Sequence, residues 1–535
     1  MSLRSPRRAV SIGVVLLTLS GAIAYGVVSS GGGTGRRSAP PAAAHPVATV
    51  ASNSPTSLPP RSPVAEENTR PGTPGWTVQH PSTAGQIEGY ADRVSAQQGD
   101  DVRLYVSSTA PYWTATAFRM GWYGGVLARQ VWSSLPEPGV TQGAPTYAAG
   151  TDMVATTWSP SLTVHITPAW PPGDYLFKLV SSTGWDSYVP LTVRDDSSTA
   201  PILIVNAVTT WQAYNLWGGA DLYSASRATT LLAHPATPGR ADVVSFDRPY
   251  QLGNGSGDFL GSEEKLVKLA EMAGLDVSYT TSIDVAERPS LLLRHRMIVS
   301  MGHDEYYSTA MRDALTLARD HGVNLAFFGG NAIYRHIRLQ PSPLGPDREE
   351  VNYRVASADP DLHTDPAEVT VSWRQAPVDK PESSLLGEMY QCNPVHTDMV
   401  VTDPTAWVWA GTGLTAGQRL PGVVGSEYDH WNSTDPQPPG TGVELLAESP
   451  VTCRGRPSTA DFTYYVTPSG AGVVDVGTTG WIPDLLDDPH VGAALARVTL
   501  TILEQGAAGP LGRDHPARAN GVAGAGPGVA PPSGE

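Results

Sequence analysis

Apolar positions recur along this chain with two different periods, and the change between them divides it. From Trp76 to about Asp196 they alternate. Val102, Leu104 and Val106 interleave with Asp101, Arg103 and Tyr105, and Leu162, Val164 and Ile166 repeat the pattern. Such alternation predicts strands with one buried face. Pro172-Gly173-Asp174-Tyr175, followed by Leu176, Phe177, Leu179 and Val180, predicts a turn feeding a late strand through a tyrosine corner. Short strands, frequent turn signals and no helical period predict an immunoglobulin-like β-sandwich over residues 76–196. Within it, Phe118 to Gly125 is aromatic and glycine-rich, and is expected to pack the sandwich end onto the next domain.

From Ala200 the pattern changes. Pro201–Val205, Leu275–Tyr279, Met297–Ser300 and Val323–Phe328 are continuous apolar runs, as expected of strands covered on both faces. Between them, Ser262–Ala273 is amphipathic and ends at Gly274. A second helix is expected from the cap Ser308 to about Asp320, with Gly322 as its stop. Strands alternating with helices predict a mostly parallel sheet in an α/β domain over residues 197–505. Helical signals vanish from about residue 348 to 465, which predicts a β-rich excursion. The α/β pattern resumes with Gly472–Gly477 and closes with a helix from about His490 to Glu504.

The 535 residues suit about two to four domains. Residues 29–75 and 506–535 are rich in Pro, Ala, Ser, Thr and Gly and are expected to be a linker and a tail without structure. Arg4, Arg7 and Arg8 precede an apolar stretch from Ala9 to Val28. This predicts an export segment over residues 1–28, either cleaved near Ala22-Ile23-Ala24 or kept as an anchor, with the bulk of the chain secreted or held at the outer face of the cytoplasmic membrane. The formal charge of -16 argues against a nucleic-acid partner, which would call for a basic surface. In an exported chain the two cysteines, Cys392 and Cys453, are expected to form a disulfide, and they lack the Cys-x-x-Cys spacing of a structural zinc site.

Candidate chemistry gathers where the apolar runs stop. Ligands of open α/β sheets sit at the carboxyl ends of the strands. One run ends in Met301-Gly302-His303-Asp304-Glu305-Tyr306-Tyr307 and the next in Gly329-Gly330-Asn331. Tyr214 follows the Pro201–Val205 run, and Val243–Phe246 leads into Asp247-Arg248-Pro249-Tyr250. Tyr214, Tyr250, His303, Glu305 and Asn331 are therefore expected to converge, although a loop tyrosine or a strand-end histidine is also an ordinary packing residue. No Ser or Cys stands at the strand end where a hydrolase elbow would place its nucleophile. What remains is an acid/base histidine beside a carboxylate. Phenol oxygens with a carboxylate suit ferric iron better than zinc or calcium.

The stretches TTWQAYNLWGG, SFDRPY, GHDEYY, NLAFFGGNAIYRHIRLQ and LPGVVGSEYDHW are similar to those of the N,N-dimethylformamidase large-subunit family, in its C-terminal region. The resemblance runs from about Ile87 to Glu504 and is strongest between Ala200 and Arg338. It implies a class I glutamine-amidotransferase-like (Rossmann-like, three-layer) α/β domain, cleavage of an amide, and a mononuclear Fe(III) held by two Tyr and one Glu. Carried over motif by motif, it implies Tyr214, Tyr250 and Glu305 as iron ligands and His303 as acid/base. It implies Asn331 as the group that orients a carbonyl, and Glu427 as a further acidic residue. This chain departs from the pattern in Asp304, in its export segment and in shorter intervals between motifs, which leaves the substrate open. The expected function is an exported metal-dependent hydrolase acting on a small or envelope-derived amide. The alternative is a non-catalytic envelope protein whose 14 tryptophans stack on polysaccharide.

Overall fold

Alternation over the first region becomes two packed sheets in the computed structural model, which describes residues 62–224 and 239–520. One sheet orders Ile87–Ala91, Asp101–Ser108 and Leu162–His165. The other runs Ser95–Gln97, Asp186–Arg194, Gly173–Ser181, Tyr112–Met120 and Ala128–Ser133, with Glu137–Pro138 paired beside Tyr112–Met120. Val102, Leu104 and Val106 bury against Trp113, Phe177 and Leu191 between them. The tyrosine corner is present: Tyr175 donates its hydroxyl hydrogen to the Pro171 carbonyl at 2.7 Å.

The glycine-rich segment joins the sandwich to the second domain. Arg119 is wholly buried and forms a bidentate pair with Glu271 of the helix Glu264–Met272, Nη2 to Oε1 at 2.7 Å and Nη1 to Oε2 at 3.1 Å. A Cβ at Gly121 would stand 2.0 Å from Glu271 Oε2, so only glycine lets the two domains approach there. Asn68 adds a bond to the same oxygen at 2.8 Å. The expected linker therefore ends earlier than residue 75, because Ser62 caps a short helix Pro63–Glu67 that packs on this junction.

In the α/β domain a seven-stranded sheet runs Val277–Thr281, Ile202–Asn206, Met297–Met301, Asn324–Phe328, Gly472–Asp475, Arg456–Val466, Glu444–Cys453. The first five are parallel and the last two antiparallel. Ile202 and Ile204 face the helices Glu264–Met272 and Val491–Ala508, while Leu203 and Val205 face the helix Thr309–Asp320. Burial on both faces is why these strands read as unbroken apolar runs. Ser308 caps Thr309–Asp320 as expected.

Three departures from the sequence reading matter. The β-rich excursion is only partly a separate body: Met389–Val400 and Arg419–His430 form a ribbon of their own, but Glu444–Cys453 and Arg456–Val466 extend the main sheet. Val243–Ser245 is not in that sheet at all. It pairs antiparallel with Gly345–Val351, in a second sheet completed by Arg335–Ser342 and Tyr306–Ser308. Residues 506–520, expected in the tail, continue the last helix to Ala508 and add Leu511–Asp514, with Leu511 buried and Asn520 accepting the Leu445 N–H at 2.7 Å. The export segment of residues 1–28 lies outside the described residues. Among the described residues no helix is long and apolar enough to cross a membrane.

The disulfide Cys392–Cys453 fastens the ribbon to the outer strand of the main sheet. Replacing both cysteines by serine removes the closure of a loop 61 residues long and is expected to lower unfolding free energy by about 4 kcal/mol, read as a lower urea midpoint. Glu271→Ala leaves Arg119 buried without its charge partner and is expected to cost about 3–5 kcal/mol in the same titration. A midpoint equal to wild type for either variant contradicts the corresponding assignment.

Candidate active site

The site is built where two parallel strands stop side by side. After Met301 the chain turns at Gly302 (φ +60°), and a Cβ on Gly329 would lie 1.6 Å from the Gly302 carbonyl oxygen. Glycine at both points lets the loops following the strands nearly touch. Asn331, at φ +58°, holds its turn by donating its backbone N–H to Asp429 Oδ1 at 2.8 Å.

The neighbouring helix Val208–Ala213 is tied to the same loop. Thr210 Oγ1 accepts the Glu305 N–H at 2.9 Å, and Thr209 donates to the Tyr306 carbonyl at 2.9 Å. Tyr214, immediately after this helix, is thereby aimed at Glu305. Its hydroxyl lies 2.7 Å from Glu305 Oε2. His303 Nε2 lies 3.3 Å from that oxygen and 3.1 Å from Glu427 Oε2, between the two carboxylates and in line with neither. Glu427 is fixed from both sides: Asn331 Nδ2 donates to Oε2 at 2.9 Å and Asn393 Nδ2 to Oε1 at 2.8 Å. Tyr214, His303, Glu305, Asn331 and Glu427 therefore come together.

Tyr250 does not join them. Its ring packs edge-on against Trp211, and its buried hydroxyl makes no hydrogen bond among the described residues. The cause is the sheet to which its strand belongs: Val243–Ser245 ends in the second sheet, so the residues after it do not reach the edge of the parallel one. Tyr223 occupies the place expected for it. Its hydroxyl lies 2.8 Å from Glu305 Oε2, 3.0 Å from Oε1 and 2.6 Å from the Tyr214 hydroxyl, with the two rings stacked. Gly218 (φ +77°) and Gly219 (φ +99°) reverse the chain, and Leu222 then donates back to the Ala213 carbonyl at 3.0 Å. The Trp217-Gly218-Gly219 signal for that reversal is visible in the sequence, but its consequence for Tyr223 is not.

Asp304 bonds away from the cluster, accepting from Ser300 at 2.7 Å and Tyr307 at 2.5 Å, and burial pushes its pKa up to about 6. Burial would also raise Glu305. The neighbouring His303 first, then the Arg335 charge and the Tyr214 hydroxyl, outweigh it and hold Glu305 at about 2. Burial opposes the charged form of His303, but the Glu427 and Glu305 carboxylates outweigh it and raise its pKa well above the ordinary histidine value. Burial first, and the Glu305 charge second, raise the Tyr214 phenol well above the ordinary tyrosine value.

Among the described residues no group of three or more His, Cys, Asp or Glu could hold a metal ion, so a metal here would depend on the phenols. Tyr214, Tyr223 and Glu305 offer a triangle of oxygens 2.6, 2.7 and 2.8 Å apart. Adjacent oxygens around an ion with bonds of about 2.0–2.1 Å lie roughly 2.8–3.0 Å apart, so the set fits one face of a hard ion's shell.

No curated protein matches the sequence. A solved structure that does match is that of a Paenibacillus sp. cycloisomaltooligosaccharide glucanotransferase complexed with cycloisomaltoheptaose. It is 14% identical over 24% of this chain and 18% of that one, with a TM-score of 0.14, a likeness too slight to support any argument. The family described as N,N-dimethylformamidase beta subunit-like, C-terminal, by contrast, matches residues 114–492. That span runs from within the sandwich strand Tyr112–Met120 to the start of the last long helix, and it takes in Tyr214, Tyr223, His303, Glu305, Asn331 and Glu427. The chain belongs to the N,N-dimethylformamidase beta subunit-like, C-terminal family.

Proposed function

We propose that this protein is an exported hydrolase of an amide C–N bond, working at the cleft between Glu305 and Glu427 in an α/β domain of the class I glutamine-amidotransferase type. The observation that carries the reading is the ring of His303 between two carboxylates, beside two phenols, in the matched family region. In this reading Tyr214 and Tyr223, whose hydroxyl hydrogens are committed to Glu305 and to each other, line the cleft beside the substrate carbonyl. Glu427, held by two asparagines, takes a proton from the attacking water. His303 gives its proton to the nitrogen as the C–N bond breaks, so the amine departs neutral. Asn331 has one amide hydrogen committed to Glu427, which leaves the other to meet the developing oxyanion. An iron(III) ion would be held by Tyr214, Tyr223 and Glu305 and would supply Lewis acidity and a more acidic water.

Export is supported by the charged and apolar N-terminal stretch and by the disulfide. Each of the 14 tryptophans is buried or half-buried, which favours the hydrolase reading over polysaccharide stacking.

Amine release from a panel of small carboxamides and peptidoglycan-type amides tests the activity. His303→Ala and Glu427→Gln are each expected to lower kcat by roughly 100- to 10,000-fold with the fold retained. No amine from any amide, or variants as fast as wild type, refutes the proposal. Iron per chain tests the ligand set separately. Tyr223→Phe is expected to weaken iron binding by roughly 100-fold or more, and Tyr250→Phe to leave it unchanged. The reverse pattern restores Tyr250 as the ligand.

A further inference from the structure

Tyr306 follows Glu305 directly but points its hydroxyl behind the site. That hydroxyl donates to the Tyr223 oxygen at 2.7 Å, and the Tyr306 side chain is wholly buried. Arg354 donates Nη2 to the Tyr306 oxygen at 3.2 Å, and its guanidinium carbon stands 4.0 Å over the Tyr223 ring. The two phenols of the site therefore have different surroundings. Tyr214 shares its hydroxyl with Tyr223 and Glu305 and lies beside the His303 ring, with centroids 5.2 Å apart. Tyr223 has, in addition, a fixed hydroxyl donor at its oxygen and a cation against its π face.

We propose that Tyr306, backed by Arg354, is a positioning residue that holds Tyr223 as the weaker electron donor of the two phenols toward ferric iron. The inference rests on the iron reading of Tyr214, Tyr223 and Glu305. A phenol that gives up its proton to a metal keeps lone pairs for an outside donor. The Tyr306 O–H bond to that oxygen lowers the energy of its electrons, and the guanidinium over the ring acts in the same direction. Among the described residues no hydroxyl donates to the Tyr214 oxygen, and the cation nearest its ring is His303, tilted at 5.2 Å rather than stacked over the face. The Tyr214 phenolate is then the stronger donor and Tyr223 the weaker, so the charge-transfer absorption of Tyr223 falls at higher energy.

The test uses the full chain reconstituted with ferric iron, read by visible absorption and iron per chain, with circular dichroism to confirm folding. Wild type is expected to show a visible phenolate-to-iron band. Tyr306→Phe is expected to keep iron at saturating ferric concentration and to shift the band to longer wavelength. Arg354→Gln is expected to shift it in the same direction by less, and serves if Tyr306→Phe fails to fold. A band that stays at the wild-type wavelength with iron bound overturns the inference. So does a folded Tyr306→Phe protein that takes up no iron at saturation, since Tyr306 would then be a ligand. Absence of iron from wild type overturns the ferric reading and this inference with it, and the iron count tells that outcome from an unmoved band.

Discussion

A carboxylate as deeply buried as Glu305, 1% exposed, must have its charge answered by groups within hydrogen-bond reach. Four side chains do so, and they arrive from separate parts of the chain. Tyr214 comes from the end of the first helix after the sandwich, Tyr223 from a glycine reversal, His303 from the preceding strand's end, and Arg335 from the second sheet. Removing any one leaves the others facing an under-compensated charge. This requirement links the parallel sheet, the helix Val208–Ala213 and the second sheet into one arrangement.

Two further constraints keep that arrangement in register. At the domain junction, Arg119 and Glu271 neutralise each other with no water access, so the sandwich is fastened to the helix packed beneath the sheet. At the opposite side, the Cys392–Cys453 bond ties the ribbon carrying Glu427 and Asn393 to the sheet's outer strand. The two carboxylates that flank His303 therefore stand on elements clamped from different directions.

The strands buried on both faces were legible because each one's burial is written in its own residues. Pro201–Val205, Met297–Ser300 and Val323–Phe328 all read correctly, as did the Ser308 cap and the tyrosine corner. His303, Glu305 and Asn331 followed from them, since a residue just past a parallel strand is bound to lie at the sheet's edge. Tyr250 failed the same logic. Val243–Ser245 is apolar and short, and nothing in those residues says which sheet it will join.

Local pattern decided the period of each element, its caps and the residues that end it, because those depend on neighbours in sequence. It also supplied the motifs that identify the family. Strand partnership is different. The antiparallel extension by Glu444–Cys453 and Arg456–Val466, the separate sheet holding Val243–Ser245 and the return of Tyr223 to Glu305 all depend on contacts between residues far apart in the chain or across a reversal. Only the assembled fold chose Tyr223 over Tyr250, because a hydroxyl's distance to a carboxylate is set by the packing of whole elements.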